Sequence, residues 1–150
     1  MRRSIPSFAV GLAFLAAACP GANTDQVRTP DSSLQVCRVG STPPPEFRLQ
    51  NTIRRSERDH VGVRVSFVDA AGRVLHFFSG FSGEFGEGMS LAGSFTVESG
   101  EEARLLGAGQ DWVLVWSSSG PCAAHAVIGN GFARGEFIQV LEASGVLAVG

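Results

Sequence analysis

The sequence lacks an excess of basic charge. It contains no lysine, and its 12 arginines face 14 acidic residues, so that the formal net charge is −2. Because nucleic acid is bound through a basic surface, we expect no nucleic-acid partner. The charged fraction is 17% and the hydrophobic fraction is 44%, a balance that is typical of globular chains and excludes a disordered one. At 150 residues, the chain has room for one domain.

A long hydrophobic run is also missing. The first apolar stretch, residues 8–18, has eleven residues without a charge. As a helix it would span roughly half of a bilayer core of about 30 Å, which is too short for a stable membrane span. The stretch follows Arg2 and Arg3 and ends in small residues, which is the pattern of a secretory signal. We therefore predict a signal peptide over residues 1–18 and export of the protein.

The signal sequence ends in Leu15-Ala16-Ala17-Ala18-Cys19. This segment resembles the lipobox of bacterial lipoproteins, in which small residues precede a cysteine that is acylated and becomes the first residue. The family prefers leucine three residues before the cysteine, where this sequence has Ala16. The resemblance implies lipidation of Cys19, a lipid anchor in a membrane and a place in the cell envelope. The alternative is a soluble protein that is secreted or periplasmic.

The three cysteines bear on the same point. If Cys19 carries a lipid, Cys37 and Cys122 remain as an even pair. In an oxidising compartment such a pair is expected to form a disulfide. This bond would close a loop of about 85 residues, which contributes about 4–5 kcal/mol of stability in the chain-entropy model.

The chain after the signal divides into a polar stretch and a patterned one. Residues 19–35 carry few apolar side chains and are predicted to be a flexible, lipid-anchored linker. From residue 36 onward the pattern alternates with period 2. The clearest strand is Val61, Val63, Val65 and Phe67, followed by a turn at residues 69–72 and a returning strand at residues 73–78. Further strands are predicted at residues 47–53, 91–97, 112–116, 123–128 and 137–141. The last of these segments also fits a helical stripe, but its β-branched and aromatic content favours a strand. A short helix is predicted at residues 99–106, where Ser99 and Glu102 have the spacing of a capping box.

Seven to eight short strands with glycine- and proline-rich connections favour an all-β fold over residues 36–150. We predict an immunoglobulin-like antiparallel β-sandwich. The segments 51–52, 63–74 and 88–97 are similar to the FxLYD family of bacterial extracellular domains. They carry Asn51-Thr52 where the family has an Asn-x-Ser/Thr strand end, the alternating strand that closes in Asp69-x-x-Gly72, and the glycine-initiated strand with Phe95. Of the name-giving motif only Asp69 is kept, and its Phe, Leu and Tyr positions are occupied by Val65, Phe67 and Val68. The resemblance implies an immunoglobulin-like sandwich, an envelope location, and a binding or structural role without catalytic residues.

Motifs for chemistry are sparse. The histidines His60, His76 and His125 have no partner at the spacing of a metal site. The chain has no Gly-x-Ser-x-Gly nucleophile motif, and residues 129–135 are better explained as a glycine-rich turn than as a dinucleotide loop. The sequence therefore predicts no metal, no cofactor and no enzymatic activity.

Two segments are candidates for partner binding. Residues 77–88 contain Phe81 and Phe85 among glycines and serines, either as exposed anchors for a partner or as rings that fold back over the sandwich. The charged turn at residues 54–60 offers Arg54, Arg55 and Arg58, either as an anion-binding site or as a solvated connection.

These observations predict a small exported lipoprotein of the cell envelope that acts as a non-enzymatic interaction or accessory module, with an envelope protein as partner. The alternative is a secreted inhibitor or ligand-binding protein that uses the aromatic loop 80–88.

Overall fold

The structure of the protein, a computed structural model, describes residues 34–150. The predicted signal peptide, Cys19 and the predicted linker as far as residue 33 lie outside these residues. Residues Gln35–Gly150 form one compact unit. Its strands are β1 (Gln35–Val36), β2 (Arg48–Ser56), β3 (His60–Val68), β4 (Val74–Ser79), β5 (Ser90–Thr96), β6 (Glu102–Ala108), β7 (Asp111–Ser117) and β8 (Ala124–Asn130), and its helix is α1 (Arg134–Ala143).

The eight strands form an open sheet in the order β1-β3-β4-β8-β7-β6-β5, and β2 pairs with β3. The β1–β3 pair is parallel, and the remaining pairs are antiparallel. Side chains of β4, β6, β7 and β8 share one hydrophobic core with α1. The two halves of the sheet therefore enclose a common interior. The predicted all-β, sandwich-like class is confirmed, and within it the strands are hydrogen-bonded into one continuous sheet.

The hairpin of β3 and β4 forms where the alternating pattern predicts it. The carboxylate of Asp69 accepts hydrogen bonds from the backbone N–H groups of Ala71 (3.0 Å) and Arg73 (2.8 Å). Gly72 adopts a φ of +82°, a conformation that glycine reaches without steric cost. The Asp69–Gly72 turn is therefore set by an Asx-type side chain and a glycine.

The strand predicted at residues 137–141 is wrong, because this segment lies in α1. Phe137, Val140 and Leu141 are all buried, and their spacing places them on one side of a helix. The side chain of Glu136 accepts a hydrogen bond from the backbone N–H of Ala133, which satisfies one of the free donors at the helix start. Among the described residues, no helix is long and apolar enough to cross a membrane.

The short helix predicted at residues 99–106 is also wrong. A turn closes between Val97 and Gly100 through the hydrogen bond from Gly100 N to Val97 O (2.8 Å), and β6 follows. Ala103 and Leu105 are fully buried, with the period of a strand rather than of a helix. The expected capping box does not form, because the Ser99 hydroxyl donates to the carboxylate of Glu101 instead.

Two strand glycines make room for aromatic rings in the core. A Cβ at Gly129 would lie 2.5 Å from two ring atoms of Phe137, and a Cβ at Gly107 would overlap the ring of Trp112. The indole N–H of Trp112 donates to the carbonyl oxygen of Phe132 at 2.9 Å. Rings therefore pack directly on the backbone of the sheet at one end of the core.

The strand β2 is an edge of the sheet. Within residues 34–150 it pairs with β3 alone, and all nine of its residues are exposed. It carries Arg48, Arg54 and Arg55 and no acidic residue.

Candidate ligand-binding cavity

One face of β7 and β8 carries the side chains of the candidate site. Because side chains alternate along a strand, Leu114 and Trp116 share a face, and Leu114 belongs to the core. The register pairs Trp116 with His125, so these side chains lie next to each other on that face. Phe137 of α1 covers Gly129 on the same strand. The Trp116–His125 pair lies toward the other end of β8, away from Gly129.

The imidazole of His125 is fixed by two neighbours. Its ring stacks on Trp116 with centroids 5.2 Å apart and an interplanar angle of 16°. Its Nε2 lies 2.8 Å from the hydroxyl of Ser118. Burial lowers the pKa of His125, and the nearby carboxylate of Glu101 opposes this effect only in part. The ring is therefore neutral at pH 7, and its Nε2 shares a hydrogen bond with the Ser118 hydroxyl.

The turn before β6 supplies a fixed carboxylate. The Ser99 hydroxyl donates to Oε2 of Glu101, and the backbone N–H of Val97 donates to the Glu101 carbonyl at 2.9 Å. The hydrogen bond from Ser99 is the main reason why the pKa of Glu101 is lowered. Glu101 is therefore ionised at pH 7, and its Oε1 is free of that bond.

A disulfide connects residues 38–41, the third segment that lines the cavity, to the β7–β8 hairpin. The predicted bond between Cys37 and Cys122 is confirmed, with Cα atoms 5.6 Å apart. Cys37 is only 3% exposed, and its N–H donates to the Val61 carbonyl at 2.9 Å. Residues 38–41 follow this anchor and line the cavity. The bond therefore joins this segment to the β7–β8 hairpin that carries Ser118 and His125.

The cavity is open to solvent on one side and has a volume of about 290 Å³. Its apolar lining includes Phe77, Trp116 and Val127, and the last two of these are held by their place in the sheet. Its polar lining is Arg38, Ser41, Ser79, Ser99, Glu101, Ser118 and His125. Small-molecule sites have this character, an apolar hollow with a few convergent polar groups, and a volume near 300 Å³ is about the lower end of their range.

The aromatic loop lies on the opposite face. Phe78 alternates with Phe77 and therefore points away from the core. Phe81 and Phe85 pack on Phe78, with ring centroids 5.4 Å and 4.9 Å apart. Phe81 is only 8% exposed, and Phe85 is half-buried. Phe81 therefore matches the alternative in which the rings fold back over the sandwich. Little of its surface is left for a partner.

The three arginines of the charged turn are not brought together. Arg54 and Arg55 are successive residues of β2 and point to opposite faces, and Arg58 lies in the turn that follows. The guanidinium of Arg55 contacts Glu57 at 2.7 Å, donates to the carbonyl of Ser82 at 2.7 Å, and lies 4.4 Å from the centroid of the Phe81 ring. Arg55 therefore holds the aromatic loop and is not free for an anion.

Asp59 and His60, which the period of a strand would place apart, are in contact. Asp59 belongs to the turn, so its carboxylate reaches Nδ1 of His60 at 2.6 Å. The Nε2 atom of the same ring lies 2.6 Å from the carbonyl oxygen of Gly80. Gly80 has a φ of +73°, and a Cβ there would collide with Sγ of Cys37. His60, Gly80 and the disulfide are therefore packed into one junction.

The sequence analysis missed the grouping of Trp116, Ser118, His125, Ser99 and Glu101. Its signal is the hairpin register, since Trp116 and Ser118 are two residues apart on β7 and its extension, and His125 pairs with Trp116. His76, by contrast, bonds to Ser66 at 2.7 Å on the other face. Residues 34–150 contain no cluster of three or more metal-ligating side chains.

Comparisons with protein-family models, with curated proteins and with solved structures give no match. The resemblances to the lipobox and to the FxLYD family stay predictions, and the function is argued from the site.

Proposed function

We propose that the protein is a small exported lipoprotein of the cell envelope, anchored through Cys19, that acts as a non-enzymatic binding module. Its binding site is the cavity lined by Trp116 and His125. The observation that carries the proposal is that this cavity combines an apolar floor with fixed polar groups. The disulfide supports export, because such bonds persist in oxidising compartments.

The segments that line the cavity are fixed in place, which favours ligand binding. Its walls come from the turn before β6, the β7–β8 hairpin and residues 38–41, and each is held by a hydrogen bond or by the disulfide. A site that is formed before the ligand arrives loses little conformational entropy on binding. This is the property expected of a receptor for a small ligand.

A test uses the full-length chain and a neutral aromatic probe, 2-phenylethanol. We expect saturable NMR shifts at Ser99, Ser118 and His125. Gly40 lines the cavity, and a Cβ there meets no atom within 4 Å, so Gly40→Phe should fold and obstruct the cavity. Gly135→Phe is the matched control, because Gly135 is equally open and lies in α1. Equal shifts in wild type and Gly40→Phe, or shifts spread over the surface, would reject the cavity as the site.

The Ser118–His125 hydrogen bond favours a second candidate, a serine hydrolase. In that function His125 would take the proton of Ser118 as the hydroxyl attacks an ester carbonyl. Among residues 34–150, however, no carboxylate lies within salt-bridge distance of His125, so the third group that orients the base in such enzymes is not in place. We expect no labelling by a fluorophosphonate probe, and labelling that Ser118→Ala abolishes would establish the hydrolase instead.

A further inference from the structure

Two residues of opposite charge line the same cavity. They are Arg38, in the segment behind Cys37, and Glu101, in the turn before β6. The remaining titratable group in the lining is His125, which is neutral at pH 7. A ligand that fits the lining therefore meets one positive and one negative group.

These two charges do not neutralise each other. Among the described residues, the salt bridges join other pairs, and neither Arg38 nor Glu101 takes part in one. Glu101 is oriented by Ser99 through one carboxylate oxygen, which leaves the other oxygen for a donor. Arg38 is exposed and starts from a backbone fixed by the disulfide. Both charges are thus open to a ligand placed between them.

The rest of the lining is apolar and aromatic. Phe77 and Val127 are almost completely buried, whereas Val39 and Trp116 also line the cavity and are partly exposed. An apolar ligand group in contact with Val39 and Trp116 would be shielded from water, and polar groups of the same ligand would meet Arg38 and Glu101. The volume of about 290 Å³ limits the ligand to a small molecule.

We propose that the cavity binds a free amino acid with an apolar side chain, in its zwitterionic form. Its carboxylate pairs with the guanidinium of Arg38, its ammonium group pairs with the carboxylate of Glu101, and its side chain packs against Trp116 and Val39. The proposal rests on the proposed function and names the ligand class of that site.

The test compares four probes on the full-length chain: L-phenylalanine, N-acetyl-L-phenylalanine, which lacks the ammonium group, L-phenylalaninamide, which lacks the carboxylate, and neutral 2-phenylethanol. Binding is followed by the fluorescence of Trp116 in the Trp112→Phe background, since the chain has two tryptophans and no tyrosine. We expect L-phenylalanine to bind about tenfold more tightly than either derivative, because each derivative loses one charge-assisted hydrogen bond.

Two variants connect each charge to its partner. Glu101→Gln should weaken the binding of L-phenylalanine and of L-phenylalaninamide about tenfold each, and it should leave the binding of the N-acetyl derivative unchanged. Arg38→Gln should weaken the binding of L-phenylalanine and of the N-acetyl derivative about tenfold and leave the binding of L-phenylalaninamide unchanged. Glu142→Gln and Arg48→Gln remove the same charges from exposed sites that do not line the cavity, and they should change nothing.

The outcomes separate the two proposals. Binding of 2-phenylethanol at the cavity with no gain for L-phenylalanine would overturn the amino-acid proposal and leave the binding site intact. Equal losses for all charged probes in Glu101→Gln would also overturn it, because a damaged fold and not a specific ion pair would then be the cause. If no probe changes the fluorescence of Trp116 or the NMR shifts of His125, both proposals fail.

Discussion

The Nε2 atom of His60 lies 2.6 Å from the carbonyl oxygen of Gly80, while its Nδ1 lies 2.6 Å from the carboxylate of Asp59. Both neighbours are acceptors, so the ring satisfies both only when each nitrogen carries a proton. The hydrogen bond to Asp59, followed by that to Gly80, raises the pKa of His60. Below its folded-state pKa, His60 therefore joins the end of β4 to the start of β3 as an imidazolium.

The stability of the domain should depend on this proton. Because the folded-state pKa of His60 is raised above the unfolded value of about 6.5, its contribution is complete below that pH and is lost as the pH rises through the folded-state pKa. We expect the NMR titration of His60 to have its midpoint above that of an unfolded reference, and those of His76 and His125 to lie below it, since burial lowers both pKa values. His60→Gln should remove this loss of stability at alkaline pH. If the loss persists in the variant, His60 is not the group that causes it.

Removal of the disulfide should affect both stability and the cavity. Cys37→Ser with Cys122→Ser opens a cross-link between residues 85 apart in sequence, which should lower the free energy of unfolding by about 4–5 kcal/mol. Chemical denaturation measures this loss. Reductant should reproduce it in the wild type and have no further effect on the double variant. Ligand binding should weaken in both cases, since residues 38–41 lose their anchor.

The two phenylalanines of the aromatic loop should differ in cost. Phe81→Ala removes a ring that is 8% exposed and is stacked by Arg55, and we expect it to destabilise the domain by about 3 kcal/mol. Phe85 is half-buried, and we expect a smaller loss of about 1 kcal/mol for Phe85→Ala. Leu91→Ala, at a side chain that is 64% exposed, is the control. Losses below about 0.5 kcal/mol for Phe81→Ala would show that the loop does not pack as described.

Lipidation of Cys19 can be measured directly. The membrane fraction should yield an intact mass equal to residues 19–150 plus acyl chains, and reductant should raise this mass by the two hydrogens of the Cys37–Cys122 bond. Cys19→Ala should move the protein into the soluble fraction. An unmodified mass in the soluble fraction of the wild type would instead favour the secreted, soluble alternative.

Most strands and the β3–β4 hairpin were accessible from the sequence, while β6, the helix and the cavity were not. The alternation in β3 and the Asp69–Gly72 turn are local signals, and they predict the hairpin correctly. The segment that forms α1 is rich in β-branched and aromatic residues, yet its buried side chains follow the helical spacing. Phe137 of this helix packs directly on Gly129, and tertiary contacts of this kind outweigh local propensity.

The cavity was hidden for a similar reason. Trp116 and His125 are distant from Glu101 in sequence, and only the pairing of β6 with β7 and of β7 with β8 brings them to one face. From the sequence alone, the three histidines have no recognisable relation to one another or to Trp116. The pairing register is the information that turns one of them into part of a site.

The edge strand β2 has a consequence for how the protein behaves in concentrated solution. A free strand edge invites a second molecule to extend the sheet and begin a fibril, and charged side chains oppose this. Two copies meeting through β2 would set the positive charges of Arg48 and Arg54 against the same charges on the other copy. The repulsion acts even at the isoelectric point of the protein, where the overall charge no longer keeps molecules apart. It weakens as added salt screens it, so colloidal stability should be lowest at that pH in high salt.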